Sequence, residues 1–86
     1  MVYDTKNRLL SNGIKLSNRD NRLLILLSNN TLVRYEEMAK YLYNDNFESK
    51  GIAIRVLLKR FRDKTKLNVI TKKTLGYILK DEIYFK

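Results

Sequence analysis

The run IRVLLKRFRDK, from Ile54 to Lys64, decides how the rest of the chain is read. Ile54, Leu57, Leu58 and Phe61 recur at i, i+3, i+4 and i+7, the stripe that an amphipathic helix turns toward a core. At about 100° per residue, Arg55, Lys59, Arg62 and Lys66 line up along one flank of that stripe. Arg60 falls on the other flank, and Ile52 and Val56 lie between the two, facing away from the core. Apolar side chains pointing outward among arginines are more than a solvated face requires. They suit a helix in the DNA major groove, touching thymine methyls while Arg and Lys reach guanine edges or phosphates. A solubilising basic face is the plain alternative, and a dimer contact or partial burial would account for Ile52 and Val56 as well. The spacing predicts a helix from about Lys50 to Lys64.

Upstream, Tyr35, Met38, Ala39 and Leu42 repeat the same stripe, with Glu36 and Glu37 in a first turn where the helix dipole favours acids. Tyr43 closes this second helix, as a core-edge residue or a phosphate contact. Asn44 to Ser49 reads as a polar loop interrupted by Phe47. Before these, Ser17 with Asp20 three residues on approximates a capping box and opens a helix over Asn18 to Ser28, stopped by Asn29-Asn30. Thr31 to Val33 reads as a short extended link. Val2-Tyr3, Arg8 to Leu10 and Ile14 to Leu16 are β-compatible, and Asn12-Gly13 is a type I′ turn signal, so a small N-terminal antiparallel sheet is expected.

Downstream, Val69 to Thr71 and Tyr77 to Leu79 flank Lys72-Lys73-Thr74-Leu75-Gly76, which gives a C-terminal β-hairpin with a lysine-rich tip. Lysines there protect a sheet edge, or reach phosphates or a minor groove when a basic helix lies alongside. Ile83 to Phe85 is a further apolar stretch without an assigned partner. The expected architecture is a single α+β domain over 1–86: N-terminal strands in 1–16, a three-helix core in 17–65 and a hairpin in 68–80.

Composition narrows the chemistry. The chain has 86 residues, 18 Lys and Arg against nine Asp and Glu, a formal charge of +9, and no His, Cys, Trp or Pro. Most zinc and copper sites, disulfides, and thiol or imidazole catalysis are thereby excluded. No paired catalytic constellation stands out among the remaining Asp, Glu, Lys and Tyr, so the expectation is a non-enzyme without cofactor, metal or small-molecule substrate. The longest apolar run, Leu23 to Leu27, is far shorter than the ~20 residues of a membrane span, and the first twenty residues carry no signal-peptide pattern. A cytoplasmic domain is expected. The charge is concentrated: Lys50 to Lys73 holds nine basic residues and one acid, while the other 62 residues are nearly neutral. That distribution points to a polyanion.

Four stretches, in order, resemble the DNA-binding effector domain of OmpR/PhoB-type response regulators, a winged helix-turn-helix. Leu16 to Leu24 resembles L-T-x-x-E-x-x-L-L, and Leu32 to Met38 is similar to V-V-S-x-E-x-L. Ile54 to Lys64 is similar to V-D-V-H-I-x-R-L-R-K-K, and Ile70 to Tyr77 to I-x-T-V-R-G-x-G-Y. The resemblance implies a recognition helix whose Lys59, Arg60 and Arg62 touch bases and phosphates, and a wing whose Thr71 and Lys73 reach backbone and minor groove. It implies a phosphate contact at Tyr43, a segment from Asn44 to Lys50 that can meet RNA polymerase, and tandem dimers on direct DNA repeats. Of a stand-alone effector and the C-terminal piece of a longer regulator, it favours the second, with aspartyl phosphorylation belonging to the missing part.

The sequence also departs from the family. Arg34 stands where a Ser or Thr usually caps the second helix, and Thr74 replaces the wing's first Gly. Ile52, Arg55 and Leu57 replace a frequent Arg, Asp and His, so no known target site carries over. The expected function is sequence-specific double-stranded DNA binding in a bacterial transcriptional regulator. The competing expectation is a protein–protein interaction module using the basic face or the 44–50 loop.

Overall fold

The computed structural model describes all residues from Met1 to Lys86, beginning with a strand, β1 (Val2–Asp4). In chain order follow β2 (Leu9–Leu10), α1 (Asn18–Ser28), β3 (Val33–Arg34), α2 (Tyr35–Tyr43), α3 (Phe47–Thr65), β4 (Val69–Lys72), β5 (Gly76–Leu79) and β6 (Tyr84–Phe85). The fold is α+β, with three helices and two three-stranded sheets, ordered β2-β1-β6 and β3-β5-β4. Sixteen buried apolar side chains form one core that draws on every helix and on both sheets. The Cα radius of gyration is 12.2 Å, matching the ~12 Å expected of a single packed domain of this length.

The first helix follows the sequence reading. Ser17 Oγ accepts the Asp20 backbone N–H at 3.2 Å, a cap that stabilises by about 1 kcal/mol. Asp20 does not complete a reciprocal box. Its nearly buried carboxylate instead meets Lys64 Nζ at 3.1 Å, tying the start of α1 to the end of α3. Arg34, at the N-cap of α2, offers only donors from its side chain. The Glu37 carboxylate accepts the Arg34 backbone N–H at 3.4 Å, the reciprocal half of a capping box, and no side-chain cap reaches the first-turn N–H groups of α2.

The third helix begins three residues earlier than its periodicity suggests. Asn46 Oδ1 accepts the Ser49 N–H at 2.7 Å and caps it. Phe47 then extends the buried stripe as Phe47, Gly51, Ile54, Leu58 and Phe61, at i, i+4, i+7, i+11 and i+14. The expected 44–50 loop therefore shrinks to Asn44-Asp45-Asn46. Asn44 is left-handed at φ 53 and ends α2 with its N–H on Lys40 O at 2.9 Å, as Asn at such a cap can. At the other end, Lys66 is the left-handed C-cap, φ 62. It therefore leaves the helical line on which the spacing had put it.

The N-terminal sheet also differs from expectation. Ile14 to Leu16 forms no strand and keeps only a Leu9–Lys15 bridge. The Gly13 N–H bonds Leu10 O at 2.9 Å, and Gly13, at φ 90, has positive φ while Asn12 does not. The turn is thus centred on Ser11-Asn12 with Gly13 as its bulge, one residue off the I′ reading. The third strand comes from the opposite end of the chain. β6 pairs parallel to β1, Val2 with Tyr84 and Tyr3 with Phe85, so the sheet is mixed rather than antiparallel.

The C-terminal hairpin is in register Val69–Leu79 to Lys72–Gly76 and recruits β3 as a third strand beside β5. Gly76 permits that junction. A Cβ there would run into the Val33 carbonyl oxygen and sit 2.8 Å from Arg34 Cα. Thr74, in the hairpin tip, is left-handed at φ 67, a strained conformation for a β-branched residue.

Candidate nucleic-acid interface

The nineteen residues of α3 set the geometry of the basic surface. Its core stripe leaves Ile52, 77% exposed, and Val56, 43% exposed, on the outward face, as the helical spacing requires. Ala53, Arg55, Lys59, Arg60 and Asp63 are exposed around them. Lys59 Nζ lies 3.2 Å from Asp63, with both side chains more than two-thirds exposed. Such a surface pair stabilises by under about 0.5 kcal/mol, so a phosphate can replace the carboxylate at small cost.

The two flanks of α3 differ. On one, Arg55 and Arg62 turn toward the hairpin. Arg62 is half-buried and donates to Thr71 Oγ1 at 3.2 Å, while its Nε is buried without an acceptor. The Arg55 guanidinium lies 5.6 Å from the Phe47 ring centroid. With Tyr35, Leu58 and Tyr77 these groups enclose a cleft of about 320 Å³. Burial raises the Tyr77 hydroxyl above its ordinary pKa of 10.0, helped by Tyr35 and opposed by Arg55 and Arg62.

On the other flank, Arg60 and Lys64 border Ser17, Arg19 and Asp20 of the α1 entrance. Arg19 lies over the Tyr43 ring at 4.5 Å, and Lys50 approaches the same ring at 5.9 Å. Arg22 lies over the Tyr41 ring at 5.0 Å and donates to the Tyr41 carbonyl. Arg19, Arg22, Lys40 and Lys50 line one concavity that contains no acid. Of the 18 lysines and arginines only Lys59 and Lys64 form salt bridges.

The structure thus brings together Ile52, Arg55, Val56, Lys59, Arg60 and Arg62 on one helix, and joins Thr71 to Arg62. Lys72 ends β4, and its carbonyl accepts the Tyr35 hydroxyl at 3.1 Å, which braces the base of the hairpin tip. Lys73 is exposed at that tip. Tyr43 is half-buried, with its ring engaged by two cations. Lys66, past the end of α3, is set apart from the line of Arg55 and Lys59. The sequence reading missed Arg19, Arg22 and Lys40. Acids of the same segment balance them on paper, and in the fold Arg19 also borders Asp20 while Lys40 also borders Glu36 and Asp45.

The chain matches no protein-family model, no curated protein and no solved structure. No helix is long and apolar enough to cross a membrane.

Proposed function

We propose that this chain is a winged helix-turn-helix that binds double-stranded DNA in a sequence-dependent manner, as the effector domain of a bacterial transcriptional regulator of the OmpR/PhoB type. The observation that carries the reading is the outward face of α3, where Ile52 and Val56 are exposed amid Arg55, Lys59 and Arg60. In a major groove that face contacts base edges, and phosphate contacts fix its register. Two further features support it. A three-residue turn, Asn44 to Asn46, joins α2 to α3, a length suited to a helix-turn-helix. The β4–β5 hairpin sets Lys72 and Lys73 beside the same helix for phosphates or a minor groove.

Arg19 and Lys50, on the α1 side of α3, extend the cationic surface from which the backbone is gripped. A polymerase contact, if this protein makes one, falls on the short Asn44–Asn46 turn and the first turn of α3. The competing interaction-module reading would use the basic face or the 44–50 segment, now a short turn and the first turn of α3. DNA places the domain's work in the cytoplasm, with tandem binding on direct repeats.

Binding-site selection from random duplexes at about 150 mM salt is the deciding experiment, expected to return a defined motif with a regular half-site spacing. With ~5 phosphates neutralised, log K against log [salt] should slope by about −4 to −5. An unenriched pool with a slope near zero would overturn the proposal. A steep slope with no sequence preference would leave only a general polyanion binder.

A further inference from the structure

The cleft between α3 and the hairpin has a chemistry that groove contact does not use. Its rear is apolar: Leu58 is buried at its base. Tyr35 stacks on Phe47 with centroids 4.7 Å apart and meets Tyr77 edge-on at 5.3 Å. Its mouth is cationic. Arg55 and Arg62 both line it, and neither has a carboxylate within salt-bridge distance.

Arg62 donates only to a neutral hydroxyl, Thr71 Oγ1 at 3.2 Å, and neither guanidinium at the mouth has a counter-charge. A carboxylate is the acceptor best matched to a guanidinium, because its two oxygens meet the planar fork together. The cleft's ~320 Å³ is within the size range of small-ligand sites, which combine an apolar lining with a few convergent polar groups. A bare oxyanion would satisfy the arginines and leave the aromatic wall wet. A neutral ring would cover the wall and leave both guanidiniums without a counter-charge.

We propose that the cleft binds a small carboxylate with a ring-sized apolar body. The carboxylate sits on Arg62, with Arg55 completing its charge, and the ring lies against Phe47, Tyr35 and Tyr77. The site stands on the cleft's own geometry and holds whether or not the chain binds DNA. If it does bind DNA, occupancy offsets one of the two positive charges on that flank of α3 and weakens duplex binding.

Amide NMR titration of the full chain without DNA tests this, with naphthoate, naphthyl-methanol and inorganic phosphate as probes. Naphthoate should give saturable shifts at Tyr35, Phe47, Thr71 and Tyr77, with a dissociation constant of about 1 mM or below. The alcohol and phosphate should each bind at least about tenfold more weakly, and Arg62→Met and Arg55→Met should each weaken naphthoate by about tenfold or more. Lys6→Met should change nothing. If Arg62→Met fails to fold, Arg55→Met, at an exposed side chain, carries the comparison alone. The proposal is overturned by phosphate or the alcohol matching naphthoate, by shifts that do not saturate or that centre elsewhere, or by Lys6→Met weakening binding as much as the arginine variants. Because no duplex is present, a failure of DNA recognition leaves this result unaffected, and the reverse also holds.

Discussion

Arg60 and Arg62 are two residues apart on α3, carry the same charge and sit on opposite flanks of the helix. Arg60 is exposed beside the α1 entrance, with Arg19 and Lys64 as neighbours and no aromatic wall behind it. Arg62 is half-buried against the hairpin, bonded to Thr71 and lined up with Arg55 over a cleft of aromatic rings. Partial desolvation makes the difference. A guanidinium in water is free to follow a phosphate, whereas one enclosed by rings and a strand is committed to local partners. Equal charges in a sequence are therefore unequal tools.

The most damaging test of that contrast removes the hairpin's attachment. Gly76→Ala places a methyl against the Val33 carbonyl and should destabilise by about 2–3 kcal/mol. That lowers Tm by roughly 10 °C or more for a domain of this size. In the variant, amide protection should fall in β3, β5 and around Arg62 before it falls around Arg60. Uniform loss would mean that the two flanks are one cooperative unit.

Replacing each arginine in turn gives the next largest effect. Arg62→Ala should cost about 1–2 kcal/mol in denaturant melts through the lost Thr71 bond and cleft packing, while Arg60→Ala stays within about 0.5 kcal/mol. On a selected duplex Arg60→Ala should nonetheless weaken binding by about tenfold. Equal stability losses would erase the distinction between the flanks.

Alkaline pH distinguishes them by titration. Burial holds the Tyr77 hydroxyl above its ordinary 10.0, and burial likewise raises Tyr3, whose hydroxyl donates to Asn21 Oδ1. The folded protein then keeps protons that the unfolded chain has released, so stability is full below pH 10 and falls as pH rises from about 10 through the raised folded values. Tyr77→Phe should flatten part of that fall in pH-dependent melts, and an unchanged curve would count against a buried hydroxyl on the Arg62 flank.

The smallest effect belongs to the outward face. Lys59→Ala breaks only an exposed pair with Asp63 and should change stability by less than about 0.5 kcal/mol. It should make the salt slope on duplex DNA shallower by about 1. A stability loss matching that of Arg62→Ala would show the outward face to be structural as well.

Much of this arrangement was legible in the sequence, where one residue set its own local rule. The Ile54, Leu58 and Phe61 stripe, the Ser17 cap and the hairpin around Lys73 all rest on contacts within a few turns or across one tight turn. Asn46 and Phe47 show where that legibility ended. A polar run masked a helix start, although Asn as a cap and Phe47 at i−7 from Ile54 were both signals for it. Lys66 shows the converse error, since helical spacing was extended past a residue that adopts φ 62.

The sequence by itself determined the three helices, the hairpin, the outward exposure of Ile52 and Val56 and the basic character of α3, because periodicity, caps and turns act between near neighbours. Tertiary structure alone decided that β6 closes the N-terminal sheet beside β1, that β3 joins the hairpin through Gly76, and that Arg19, Arg22, Lys40 and Lys50 share one acid-free hollow. It also decided which arginines are enclosed and which are free. Desolvation depends on what the rest of the chain packs around a side chain, and no local spacing encodes that.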